Sequence, residues 1–261
     1  KNTINTGSIP DTAIDRTRQP MKESTRFAFD ISWVFVSQIV TLGSGFLLNI
    51  VLSRWLGPAD FGLYTLTLTI FTISTLIAGL GIPETVVKYV ADYRSDQERL
   101  NAVVTAGVIN ALVLGVAAGL ALFFFAGDIA GSFGMPELSG LIRIIAVAVP
   151  LAIVNTTLLG LLNGLREMRS YSFRFMIRSL LLITLAVLFI AAGLGPGGAV
   201  LALLLTEVGT LAFVVSIVRR HFRLSVPGYP ETSRKMLAFG SRVFIASAVY
   251  LINTYTDTLL I

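Results

Sequence analysis

The chain has 261 residues, of which 54% are hydrophobic and only 13% charged, with a formal net charge of +5, a mean hydropathy of +0.80 and no cysteine. A soluble domain of this size carries about 25% charged residues to cover its surface, so composition predicts an integral membrane protein. The lack of cysteine excludes disulfides, thiolate metal sites and thiol nucleophiles, and the basic excess is assigned to loops facing anionic membrane lipid, with no nucleic acid as partner.

Taken in order, the first 28 residues are polar, with Pro10 and Pro20 among scattered charges, and no apolar periodicity. They are predicted to form a disordered cytoplasmic tail without a cleavable signal peptide, Met21 being a candidate natural start. A helical span needs about 20 apolar residues, and seven windows meet that length: 31–53, 62–82, 101–126, 141–163, 175–194, 198–218 and 237–261. These runs are continuous and about twice as long as barrel strands, so the predicted class is all-α, a polytopic transmembrane helix bundle. Outer turns are expected at 54–61, 127–140 and 195–197. The longest inner connection, 219–236, contains Pro227, Gly228 and Pro230 and reads as a loop between two bundles.

Between the first two windows, Leu56-Gly57-Pro58 predicts a sharp stop, because glycine accepts left-handed dihedrals and proline cannot continue a helix. Asp60 is expected to cap the helix that follows. Positive charge then fixes orientation. Of the 20 Lys and Arg residues, 18 fall in alternate loops, including Arg166, Arg169, Arg174 and Arg178 around the turn after the fourth window. The positive-inside rule places that side, and the N-terminus, in the cytoplasm. Only Arg54 and Arg143 lie on the other side.

Ionisable and polar groups within spans are candidate functional residues, because a charge in hydrocarbon costs a few kcal/mol or more. Glu207 lies near the middle of the sixth window, too deep for its short side chain to reach the interface. It is either a protonatable or cation-binding carboxylate facing a cavity, or a hydrogen-bonded Glu packed between helices. Arg143 is either a snorkelling interfacial residue or a cavity arginine whose planar fork suits a diphosphate; Arg54 divides the same way. Asp257, in the seventh window, is a second candidate for ion coupling, and Asp30 reads as an N-cap. Asn155 and Thr156 follow Pro150, which frees a carbonyl and bends the fourth helix, and such breaks often line cavities. Thr65, Thr67, Thr69 and Thr72 are expected to be polar glue between helices, while Gly115 with Gly119 and Gly160 with Gly164 have the spacing for close helix approach. The single histidine, His221, cannot build a metal site. No nucleotide-binding glycine loop, HExxH motif or serine elbow is present, so no cofactor and no enzymatic activity are predicted.

Phe29-Asp30-Ile31-Ser32-Trp33 and the run Asn49-Ile50-Val51-Leu52-Ser53-Arg54-Trp55-Leu56-Gly57-Pro58-Ala59-Asp60-Phe61-Gly62-Leu63-Tyr64 resemble the first-hairpin signature of the polysaccharide transporter family. These are the Wzx-type oligosaccharide flippases of the MATE-like flippase superfamily. Gly81-Ile82-Pro83, Leu158-Leu159-Gly160-Leu161-Leu162-Asn163-Gly164 and Met236-Leu237-Ala238-Phe239-Gly240 extend the resemblance from about Arg26 onward. It implies two six-helix bundles rocking around a polar cavity to carry an isoprenoid diphosphate oligosaccharide across the cytoplasmic membrane, with arginines on the diphosphate and an ion gradient as drive. An ungapped internal match, Leu237-Ala238-Phe239 over Phe27-Ala28-Phe29, agrees with a repeat. The expected organisation is a tail (1–28), a six-helix bundle (29–218), an inter-bundle loop (219–236) and the first helix of a second, truncated bundle (237–261). Expected partners are lipid-linked oligosaccharide, membrane lipids and a coupling ion. A small-molecule antiporter of the same superfamily and a membrane-embedded polysaccharide polymerase are the alternatives.

Overall fold

A computed structural model describes the backbone over residues 19–224 and 229–259, and side chains over 31–224 and 229–246. Seven helices make up the described residues: α1 (Gln19–Gly79), α2 (Ile82–Asp92), α3 (Gln97–Ser132), α4 (Leu138–Gly164), α5 (Met168–Ala191), α6 (Gly195–Val218) and α7 (Tyr229–Leu259). Five of them, α1 and α3 to α6, are long and apolar enough to cross a bilayer. The all-α transmembrane class expected from composition is what the chain adopts, and it is a multi-pass membrane protein.

Several boundaries differ from expectation for local reasons. Helix begins at Gln19, ahead of the predicted end of the tail, with Pro20 in the first turn where its missing N–H is harmless. The expected turn at 54–61 collapses to one residue: α1 stays helical on both sides of Gly57, whose φ of 77° and ψ of 173° belong to a region that essentially only glycine occupies. Pro58 opens the second arm. Asp60 is therefore not an N-cap as predicted; it lies within the first turn of that arm, because the break is at Gly57 itself. The second window was expected to run to Ile82, but α1 stops at Gly79, where Leu80 (φ 43°) and Gly81 (φ 68°) turn the chain. Ile82 and Pro83 then start α2, whose 11 residues are too few to span a bilayer. Ile82, Val86 and Val90 are fully buried and seat α2 as an internal brace. α7 starts at Tyr229 and not at Leu237; Pro227 and Gly228 lie outside the described residues.

α4 is the centre of the bundle, with 67% of its apolar window inside the protein. It packs on α3, α6 and α2. The two small-residue pairs make those approaches possible: a Cβ on Gly115 would fall 2.7 Å from Pro150 Cα of α4, and one on Gly160 would fall 2.7 Å from the Pro83 carbonyl of α2. Pro150 is carried inside a continuous α4. Around this axis, α5 packs against both α6 and α1. α7 meets the α1–α2 junction backbone to backbone, since a Cβ on Gly240 would fall 2.6 Å from the Leu80 carbonyl. Beside that crossing, Lys88 Nζ sits 4.0 Å from the Phe239 ring centroid and Tyr89 lies edge-on to the same ring.

A buried carboxylate shared by three helices

Glu207 is midway along α6, about 17 Å from either end at 1.5 Å per residue. Only 1% of it is exposed. A charge at that depth needs partners, and two neighbouring helices supply them. From α5, Arg178 donates to Glu207 Oε1 through Nε (3.0 Å) and pairs with the same oxygen through Nη2 at 2.9 Å. From α4, Asn155 Nδ2 donates to Glu207 Oε2 at 2.8 Å, to the Glu207 backbone carbonyl at 3.0 Å and to Thr210 Oγ1 at 3.1 Å. Asn155 is fully buried, so its amide is committed to α6.

Arg174 lies one helical turn before Arg178 on the same face of α5, the spacing that makes side chains neighbours. Two adjacent guanidiniums repel unless an anion lies between them, and Glu207 fills that role: Arg174 Nη2 is 4.0 Å from Oε2. Arg174 is 5% exposed, yet its Nε makes no hydrogen bond within the described residues, and neither does Asn155 Oδ1. The cluster thus carries two cations and one anion and has hydrogen-bonding capacity to spare.

It borders a cavity of about 380 Å³. Phe71, Thr72, Thr75, Leu76 and Gly79 of α1 form one wall, and Gly81, Pro83 and Glu84 at the start of α2 form another. Ala152 and Thr156 of α4, Arg174 and Arg178 of α5, Glu207 and Phe244 of α7 complete it. Arg178 is the arm that reaches this space, its side chain 29% exposed. The Thr156 hydroxyl bonds back to the Ala152 and Ile153 carbonyls of its own helix, so it offers the cavity an acceptor while its proton stays at home.

Of the residues singled out by sequence, Glu207, Asn155 and Thr156 come together here, and Arg54 and Arg143 do not. Arg54 is exposed near the end of the first α1 arm. Arg143 is exposed on α4 with its guanidinium 5.7 Å from the Phe123 ring centroid, an aromatic partner on the outer surface in place of the cavity. The side chains of Asp30 and Asp257 lie outside the described residues. The threonines are not glue between helices: Thr65, Thr67, Thr69 and Thr72 each donate to the carbonyl four residues back in α1. That bond is always within reach of a helical threonine.

Arg174 and Arg178 are the functional candidates that sequence reasoning missed. The positive-inside rule assigns both to the cytoplasmic turn, Arg174 lying just before the fifth window and Arg178 just within it, whereas α5 begins at Met168 and holds both inside the helix. Their spacing of four, amid Phe173, Phe175, Met176 and Ile177, is the signal that places two arginines on one face of an otherwise apolar helix. Among the described residues, no cluster of three or more His, Cys, Asp or Glu could hold a metal ion.

The profile of a family described as polysaccharide biosynthesis protein matches residues 27–261. Among characterised proteins, the lipid III flippase of Escherichia coli (strain K12) is 33% identical over 152 residues, covering 57% of this chain and 36% of that protein. The succinoglycan biosynthesis transport protein ExoT of Rhizobium meliloti (strain 1021) is 28% identical over 166 residues, covering 64% of this chain and 32% of its own. The matches thus cover about a third of these relatives' length. In three dimensions the chain resembles a MATE protein in complex with MaD5, with a TM-score of 0.70 at 19% identity over 88% of this chain and 57% of that one. It also resembles a MOP superfamily transporter from Pyrococcus furiosus, with a TM-score of 0.67 at 20% identity over 86% of this chain and 55% of that one. At these identities the likeness is one of fold.

Proposed function

Because the chain belongs to the polysaccharide biosynthesis protein family, we propose that it is part of a flippase that moves lipid-linked oligosaccharide, an isoprenoid diphosphate sugar, across the cytoplasmic membrane by alternating access. The observation that carries this reading is the pair of arginines, Arg174 and Arg178, at the wall of a cavity within the bundle. Planar guanidiniums bond phosphate oxygens in pairs, and in a site shielded from water each such bond is stronger than in bulk. Two adjacent arginines on one face of α5 suit a diphosphate. The cavity, about 380 Å³, takes a headgroup and not a chain of sugars, so the glycan would extend beyond it while the lipid tail stays in the bilayer. Both curated relatives named above are a flippase and a transport protein, which supports transport over polymerisation.

In this reading the N-terminus is cytoplasmic, the helices up to Val218 form one bundle, and α7 opens a second. Glu207 is the preferred coupling residue and Asp257 the alternative. Asn155 and Thr156 complete the polar wall.

The test is reconstitution of the purified protein in liposomes with lipid-linked oligosaccharide, scored by accessibility of the sugar to a lectin or hydrolase on the far side. Movement of the lipid-linked sugar that is abolished by Arg178→Ala supports the proposal. Failure to move it, with efflux of organic cations instead, overturns it in favour of the antiporter.

A further inference from the structure

Glu207 is an unusual occupant for a substrate wall: a carboxylate that already fills the place where an incoming anion would bind. Its Oε1 accepts from Arg178 Nε and lies 2.9 Å from Nη2, and its Oε2 faces Arg174. The other hand on the carboxylate comes from a different helix, Asn155 of α4, which bonds Oε2 and the Glu207 backbone together. The carboxylate is thus held from two sides, and one side can let go without stranding it.

We propose that Glu207 is an internal counter-anion that sets the anion selectivity of the cavity: a ligand phosphate takes Arg178 by displacing Oε1, while Asn155 keeps the released carboxylate. This rests on the reading above only in taking the ligand to be an anion on a lipid. The reasons are geometric. Arg178 is the single member of the cluster with substantial exposure to the cavity, so it is where exchange begins. Arg174 is nine-tenths buried with Nε unbonded among the described residues, so a donor remains for a second anionic oxygen once the first has arrived. A tethered carboxylate competes at high effective concentration. A small anion that engages Arg178 alone cannot displace it, whereas a diphosphate spanning both arginines can. Glu84, the other carboxylate on the wall, adds to the repulsion that a weak anion must overcome.

The exchange has a structural consequence. Arg178 is the closer of two charged ties between α5 and α6, Arg174 being the longer, and Asn155 is the polar tie between α4 and α6. Displacement of Glu207 from Arg178 loosens α5 alone and leaves α6 fastened to α4. Substrate charge is thereby converted into freedom of one helix.

The experiment measures binding of inorganic pyrophosphate and of sulfate to the full chain in lipid nanodiscs by calorimetry, for the wild type, Glu207→Gln, Glu207→Asp and Arg178→Gln. Removing a charge about 3 Å from the binding guanidinium should tighten pyrophosphate binding by about tenfold or more in Glu207→Gln. Sulfate, weak against the wild type, should gain at least as much, so the selectivity ratio does not rise. Arg178→Gln should lose pyrophosphate binding. Glu207→Asp keeps the charge but shortens its reach, and a tightening of a few fold is expected, which covers the case in which the Gln variant fails to fold. Unchanged or weaker pyrophosphate binding in both Glu207 variants overturns the proposal, as does absence of pyrophosphate binding in every variant. The liposome assay is independent of both: transport of lipid-linked sugar without the affinity gain sinks the exchange and keeps the flippase, while the affinity gain without such transport does the reverse.

Discussion

Truncating Arg178 to alanine should destabilise the bundle measurably. The pair it makes with Glu207 lies 2.9 Å apart, an attraction of about 6 kcal/mol at an effective dielectric of 20. The net effect is smaller, because burying the two charges costs desolvation, and one-sided removal of a buried pair typically costs about 3–5 kcal/mol. Arg178 keeps 29% of its side chain exposed, and Asn155 and Arg174 remain near the stranded carboxylate, so the lower end, about 3 kcal/mol, applies. For a bundle of this size that lowers the melting midpoint by about 6–12 °C in a detergent-solubilised thermal scan. The reasoning makes a sharper claim about the double variant. Arg178→Ala combined with Glu207→Gln loses the shared pair only once, and should be less unstable than the two single variants added together, although Arg174 is left without its anion. A double variant as unstable as the sum of its parts would refute the argument, since it would mean that the two side chains stabilise the fold independently.

Other consequences are separable by their causes. Gly57→Ala should cost about 1–3 kcal/mol from backbone strain alone, because φ is 77° and no atom lies within 4 Å of the added methyl; thermal melting should show a shift while the folded protein still accumulates. Gly240→Ala should be worse, since the methyl meets the Leu80 carbonyl at 2.6 Å and Thr85 Oγ1 at 3.2 Å, and size-exclusion chromatography should show little monodisperse protein. Asn155→Ala should reduce stability by about 1 kcal/mol, the scale of hydrogen bonds between membrane helices, and reduce transport further than that loss of folded protein explains. Arg143→Ala should leave transport of lipid-linked sugar unchanged, its guanidinium facing Phe123 on the outer surface.

The helical spans were legible because hydrocarbon imposes a one-dimensional rule: long apolar runs, separated by loops of sorted charge. Glu207 was legible for the same reason, as a violation of that rule far from any helix end. Arg174 and Arg178 were hidden by it. A cation near the inner end of an apolar run satisfies the positive-inside rule whether it is solvated or paired, and only the carboxylate on α6 decides between them. The 18-to-2 sorting of charge therefore overstated the loops, since two of the 18 belong to the bundle interior. The break before α2 left a readable trace in Gly81-Ile82-Pro83, but apolar content ran straight through it. Hydropathy does not register a change of direction.

The crossing of α7 over the α1–α2 junction has a mechanical implication. Helices usually fix their crossing angle by interlocking rows of side chains. At Gly81 and Gly240 there are no side chains to interlock, only two backbones in contact. Such a joint sets a distance of closest approach and leaves rotation about it to the neighbouring rings, Phe239 against Tyr89 and the Lys88 ammonium. Flat faces and a point charge can slide where ridges would jam. The junction works like a bearing, and it lies at the rim of the same cavity that holds the arginines.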